Sequence, residues 1–141
     1  MNGYPDGTFR PEKPITRAEF AKVITLASGT RDIDSTKPVV FTDAGPGHWA
    51  GAYINVCVSK DWMQGVGNQT FSPDSTLKGA QLITVVSRIK GLQVEAKIEG
   101  DEWYKPYVDT AAKADLLYPG FSPESNATRA QCAYMINQAF K

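Results

Sequence analysis

The sequence predicts an all-α domain in which a helix–loop–helix unit is used three times, and two observations carry that prediction. The first is internal repetition. TFRPEKPITRAEF (Thr8 to Phe20), TFSPDSTLKGAQL (Thr70 to Leu82) and GFSPESNATRAQC (Gly120 to Cys132) each hold a Phe-x-Pro followed, at a fixed distance, by an Ala one step ahead of Glu or Gln. Residues 9–27 and 121–139 agree at nine of nineteen positions without a gap, so function is to be read from a repeat rather than from a lone active site. The second observation is helical spacing of apolar residues after each copy: Phe20, Val23, Ile24, Ala27; Leu82, Val85, Val86, Ile89; Cys132, Met135, Ile136, Ala139.

Each element has a local cause. In copy one, Thr16 as N-cap and Glu19 three residues on form a capping box, and Ile15 with Phe20 forms the hydrophobic staple. Thr128 with Gln131 repeats the box in copy three. Copy two keeps a staple in Leu77 and Leu82 and has Gln81 at the box position, but it puts Lys78 where the capping hydroxyl belongs and Gly79 just inside. Its helix start is expected to be the weakest, by roughly 1 kcal/mol. Gly29 and Gly91 each lie twenty residues after their Phe, a left-handed stop for a three-turn helix. Ahead of copies two and three, Trp49, Tyr53, Cys57 and Trp62 (with Ile54 and Val58) and then Trp103, Tyr107, Val108, Ala111 and Leu116 give two further amphipathic stripes.

Trp49 to Phe71 spans 22 residues and Trp103 to Phe121 only 18, so the copy-three loop is about four residues shorter. Residues 30–46 read as a linker. Copy one lacks a first helix, because Met1 aligns with Met63, and the count is therefore five helices rather than six. The expectation is that Phe20, Val23 and Ile24 are left uncovered unless a second chain or peptide covers them.

Composition narrows the function. With 141 residues, 42% hydrophobic, the chain suits one globular domain, and no apolar run approaches a membrane span. Lys plus Arg equals Asp plus Glu at 15 each, which leaves no overall charge to draw nucleic acid or an anionic membrane. Neither a basic start nor a hydrophobic segment stands at Met1, so a secreted protein is expected here either already processed or as an expressed piece. Cys57 and Cys132 match no metal spacing and fall on apolar helix positions; they read as buried small hydrophobes, with a disulfide left open. His48 is a lone histidine without ligand partners, read as turn or helix-start packing, and no metal site or cofactor is expected. The acids are scattered rather than paired, which argues against a glycan hydrolase or lyase.

GYPDGTFRPEKPITRAEFAKVI, FTDAGPGHWAGAYI and the TRAQ of copy three resemble the S-layer homology family over nearly the whole chain. That resemblance implies a pseudo-threefold arrangement of helix–loop–helix repeats around a central three-helix bundle, with residues 1–29 (first helix missing), 41–91 and 98–141 as repeats of one domain. It implies an extracellular module that anchors a surface protein, without a covalent bond, to a bacterial secondary cell wall polysaccharide, an acidic glycan carrying ketal-linked pyruvate. The alternative is a helical-repeat module for protein association or self-association.

The site residues follow by register. Arg17 and Arg129 sit at the first helical position, where the positive end of the helix dipole disfavours a cation, and a bound carboxylate would explain them. Being unnecessary for capping, they are expected to be replaceable without loss of fold. The matching position in copy two is Gly79, with Lys78 as a neighbouring point charge, so Gly79→Arg is expected to create or strengthen a site. Trp49 and Trp103 match the family's tryptophan, which stacks on sugar, although the plain reading of each is a core residue. Asp43 matches the acidic residue that bonds sugar hydroxyls; in copy three Asp101 is a guess. Gly7 and Gly65, with Gly3 and Gly67, let loop backbone approach a ligand or simply serve turns.

Overall fold

The computed structural model describes residues 11–30, 41–44 and 47–140, and within them the chain is helical, with extended backbone only as isolated bridges. Five helices occur in order: α1 (Arg17–Ala27), α2 (Gly51–Ser59), α3 (Gly79–Ile89), α4 (Lys105–Lys113) and α5 (Arg129–Ala139). The chemistry at the start of α1 is the reciprocal box: the Glu19 N–H donates to Thr16 Oγ1 at 3.1 Å and the Thr16 N–H to Glu19 Oε1 at 2.9 Å. Thr128 and Gln131 do the same for α5, at 3.1 and 3.0 Å. At α3 only half the box forms. Gln81 Oε1 accepts from the Lys78 N–H at 2.8 Å, but an ammonium has no lone pair to return. Gly29 (φ +77°) and Gly91 (φ +66°) follow α1 and α3 in the left-handed region that suits glycine.

The chain divides into two compact units whose borders are not those of the repeats. One unit is Ile15–Thr76; the other comprises the chain up to Pro14 together with Leu77 onward. Both cuts fall five residues after a repeat's Phe. Each unit therefore joins the second helix of one copy to the first helix or loop of the next.

In the Ile15–Thr76 unit, α1 packs on α2. Phe20, Ile24, Ile54 and Cys57 are fully buried, and the Cys57 thiol lies 3.5 Å from the Ala21 carbonyl oxygen. Thus Phe20 and Ile24 are not the uncovered face that the five-helix count predicts, and of the three residues named there only Val23 is left half-buried. The helix that covers the second helix of copy one is the first helix of copy two, so Phe20 and Ile24 need no second chain to bury them.

In the other unit, α3 packs on both α4 and α5. Leu82, Ile83, Val86, Ala111, Cys132 and Met135 are buried there.

The two stripes read from tryptophan onward need a correction of phase. Helix α2 begins at Gly51 and α4 at Lys105, so Trp49 and Trp103 precede the helices rather than joining their buried faces. They are 57% and 50% exposed, not core residues. Within the helices burial falls on Ile54, Val56 and Cys57, and on Ala111.

A single backbone frame places the helix starts. The first two N–H groups of α1 donate to the copy-two loop: Arg17 to the Ser75 carbonyl and Ala18 to the Pro73 carbonyl, both at 2.9 Å. In α3, Gly79 and Ala80 donate likewise to Ser125 and Pro123, each at 2.9 Å. In α5, Arg129 and Ala130 donate to Lys13 and Pro11, at 2.8 and 3.1 Å. The Pro of Phe-x-Pro and the residue two past it thus serve as acceptors for helix N–H groups that no intrahelical carbonyl can reach.

Candidate functional site

Within the Ile15–Thr76 unit the candidate site is built on the copy-two loop, residues 64–73. Its chain reverses through residues of positive φ: Gly67 (+113°), Asn68 (+52°), Gln69 (+58°) and Ser72 (+57°). Non-glycine residues persist there only when their surroundings hold them. Two side chains from elsewhere in the unit do so.

Asp43 is the first. Its two carboxylate oxygens accept the Phe71 and Ser72 N–H groups, each at 2.9 Å, while the neighbouring Thr42 N–H donates to the Gln69 carbonyl at 2.8 Å. The Phe71 N–H bond is the main reason that the Asp43 carboxyl lies below the ordinary carboxylate value. Arg17 is the second. Although the side chain is only 5% exposed, Nε donates to the Phe71 carbonyl at 2.9 Å and Nη2 to the Gln64 carbonyl at 2.7 Å. Its guanidinium carbon stands 4.4 Å from the centre of the Phe71 ring, which tilts against Phe41 at 5.3 Å. Burial lowers the Arg17 pKa, opposed by the charge of Asp43. Gly65 is glycine for space: a Cβ there would stand 2.5 Å from the Phe41 ring and 2.8 Å from the Thr70 carbonyl oxygen.

Arg17, Asp43 and Gly65 are therefore brought to one loop. The expectation that Arg17 can be removed without affecting the fold is corrected by its two carbonyl partners, which truncation would leave unpaired. Trp49 stands exposed ahead of α2 with its ring stacked on His48 at 5.8 Å, and His48 Nδ1 accepts the Ala50 N–H at 3.0 Å, the helix-start role expected of that histidine.

The remaining predicted residues lie in the other unit. Arg129 is 6% exposed, and its charge opposes the upward shift of the Cys132 thiol. Trp103 makes an edge contact with Tyr104 at 5.6 Å. The Lys78 ammonium donates to Asn126 Oδ1 at 2.8 Å on the surface. Asp101 lines an open cleft of about 350 Å³ together with Glu95, Lys105, Asp109 and Lys113, a cleft whose walls include none of Lys78, Trp103 or Arg129. Gly7 and Gly3 lie outside the described residues.

Gly79 does not act as a vacant arginine position. A Cβ built on it would overlap the Ser122 carbonyl oxygen and come within 2.7 Å of the Tyr118 hydroxyl, so Gly79→Arg cannot install a guanidinium as the sequence led us to expect. Cys57 and Cys132 are free and buried, and burial pushes both thiols up to about 12, far from the thiolate that a nucleophile or metal ligand requires. No group of three or more His, Cys, Asp or Glu placed to hold a metal occurs among the described residues, nor a helix long and apolar enough to cross a membrane.

Comparison with known proteins adds independent observations. The model of the S-layer homology domain matches residues 1–21 and 40–83. Cell surface glycoprotein 1 of Acetivibrio thermocellus is 27% identical over 164 aligned residues, covering 100% of this chain and 7% of that protein. The cellulosome-anchoring protein of the same organism is 37% identical over 96 residues, 62% of this chain and 20% of its own length. A surface layer protein of Brevibacillus choshinensis is 29% identical over 141 residues, 99% of this chain and 12% of its own. The chain thus spans a fifth or less of these relatives.

Proposed function

Because the chain belongs to the S-layer homology family, the wall-anchoring module of bacterial surface proteins, we propose that it binds an acidic secondary cell wall polysaccharide, one bearing pyruvate, at the junctions where an arginine-bearing helix start meets the next copy's loop. The observation that carries this reading is the Arg17–Asp43 bracing of the copy-two loop. A desolvated guanidinium beneath the loop supplies a fixed positive charge where the dielectric is low. Asp43 faces solvent and can accept from sugar hydroxyls while holding the loop. Trp49, exposed and without a core role, offers an aromatic face for the apolar side of a sugar ring. Arg129 occupies the equivalent helix position in the other unit and carries the same proposal.

Purified cell walls tested before and after acid removal of the secondary polymer decide the matter. The chain is expected to sediment with the intact walls and to stay in solution with the stripped ones; equal retention by both would defeat the proposal.

A second reading, protein association, has one observation in its favour. At matching positions Ala18 and Ala80 are buried while Ala130 is exposed, and Thr25 and Ser87 are buried while Asn137 is exposed. The outer face of α5 therefore lacks the cover that these positions of α1 and α3 enjoy. Retention by stripped walls coated with surface protein, but not by bare ones, would favour this reading.

A further inference from the structure

Copies two and three leave their first helices in the same way. Trp62 donates its N–H to the Cys57 carbonyl and Leu116 to the Ala111 carbonyl, both at 2.9 Å, and the aspartates one step earlier, Asp61 and Asp115, are both left-handed at φ +59° and +57°. Gln64 and Tyr118 are therefore equivalent stations, each fifteen residues after its tryptophan. Beyond them the copies diverge. From Gln64 the chain takes seven steps to Phe71; from Tyr118 it takes three to Phe121, so the four missing residues are the tip of the loop.

The consequences differ at the helix starts. In the Ile15–Thr76 unit the Gln64 carbonyl accepts from Arg17, and the Phe71 N–H goes to Asp43. In the other unit the Phe121 N–H turns back to the Tyr118 carbonyl at 3.1 Å, which removes the need for an aspartate. The Tyr118 side chain, 4% exposed and set edge-on to Phe121 at 5.2 Å, brings its hydroxyl within 2.7 Å of where a Cβ on Gly79 would stand. Gly79 has an ordinary negative φ, so it is glycine for room and not for backbone conformation.

We infer that Tyr118 and the Ser122 carbonyl fill the place that the Arg17 side chain takes at the start of α1, shutting the α3 junction to acidic glycan and confining wall binding to the arginine-bearing junctions. Tyr118 is thus a specificity-determining residue that acts by occupancy. Its phenol, held largely out of water, is pushed up to about 12, so the group stays neutral and brings no charge to the junction. The inference rests on the wall-binding reading for its ligand but not for its geometry.

Titration of the ¹⁵N-labelled chain with a disaccharide ending in a pyruvate-ketal amino sugar, followed by amide shifts, tests it. Saturable shifts are expected at Arg17, Gln64, Phe71 and Ser72, with none at Gly79, Tyr118 or Ser122. A saturable shift centred on Gly79 and Ser122 would overturn the inference. Silence at both places would sink the wall-binding reading and leave the shut junction standing. Geometry is checked separately by Gly79→Ala and Gly79→Arg. Each is expected to lower the melting temperature by roughly 5 °C or more, or to prevent folding, with no added binding. Parent-like melting of either variant would show that the junction has room, and the inference would fail.

Discussion

The starts of α1 and α3 share a backbone frame and are fastened in opposite directions. At α1 an arginine reaches from the helix into the loop and binds two of its carbonyl groups. At α3 a tyrosine reaches from the loop to the helix, and the helix answers with a glycine. The frame itself, two helix N–H groups on the carbonyls of the Pro of Phe-x-Pro and of the residue two past it, is the same in both. What the repeat motif specifies, then, is where helix and loop meet. Whether a ligand can enter depends on loop length and on which partner supplies the filling side chain. Two copies with the same motif need not both be sites.

The strongest way to break the comparison is Arg17→Ala. With the guanidinium gone, the Phe71 and Gln64 carbonyls lose their donor and the Phe71 ring its cation, a loss of about 2–3 kcal/mol in stability. Wall binding should fall with it. Denaturant titration beside glycan titration separates the effects: a variant as stable as the parent would mean that the loop stands without Arg17, and its fastening would be no different from the hydrophobic contacts around it.

Asp43→Asn probes the same loop from its exposed side, with a smaller effect. The folded carboxyl lies below the ordinary value of about 3.9. Its contribution is therefore fully present above that value and is lost as pH falls through the lower, folded one. The parent should melt higher than Asp43→Asn at neutral pH, and the gap should close as pH drops below about 4. A gap independent of pH would show that the charge of the carboxylate is not what holds the Phe71 and Ser72 N–H groups.

Local chemistry was legible in the sequence and non-local chemistry was not. Thr16 with Glu19, Thr128 with Gln131 and the stops at Gly29 and Gly91 were readable because their partners lie within a few residues. The tryptophans were misread because helical spacing continues a pattern past the true helix start; nothing in HWAGAY says that α2 begins at Gly51. Arg17 was found as a residue out of place at a positive helix end, yet its partners are main-chain carbonyls 47 and 54 residues away, which no side-chain pattern can announce. Gly79 misled for a related reason. Its cause is the Ser122 carbonyl and a tyrosine thirty-nine positions on, visible in the sequence only as a loop four residues short.

Trp49→Ala sharpens the comparison on the ligand side. An exposed tryptophan ahead of the helix should leave stability within about 0.5 kcal/mol of the parent, where a core tryptophan would cost roughly 3–5 kcal/mol. Glycan affinity should drop about tenfold, the loss of a stacking contact near 1.4 kcal/mol. An unchanged affinity would remove Trp49 from the site and leave the loop alone to make it.

Lys78→Thr concerns the smallest difference between the two helix starts. At α1 and α5 a threonine hydroxyl accepts the N–H three residues on, at 3.1 Å in both; at α3 the corresponding Gln81 N–H faces a lysine, which cannot accept. The rest of the cap is already in place, since Lys78 N–H reaches Gln81 and the first two helix N–H groups reach Ser125 and Pro123. A threonine hydroxyl would complete the box and should raise stability by about 0.5–1 kcal/mol, reduced slightly by the lost surface contact to Asn126. Because Lys78 is not needed at a junction that is shut, glycan affinity should not move. Calorimetric melting of the variant beside a glycan titration reads both quantities. A gain in stability with affinity intact places the lysine outside the site, whereas a loss of affinity would reopen the α3 junction as a place where charge matters.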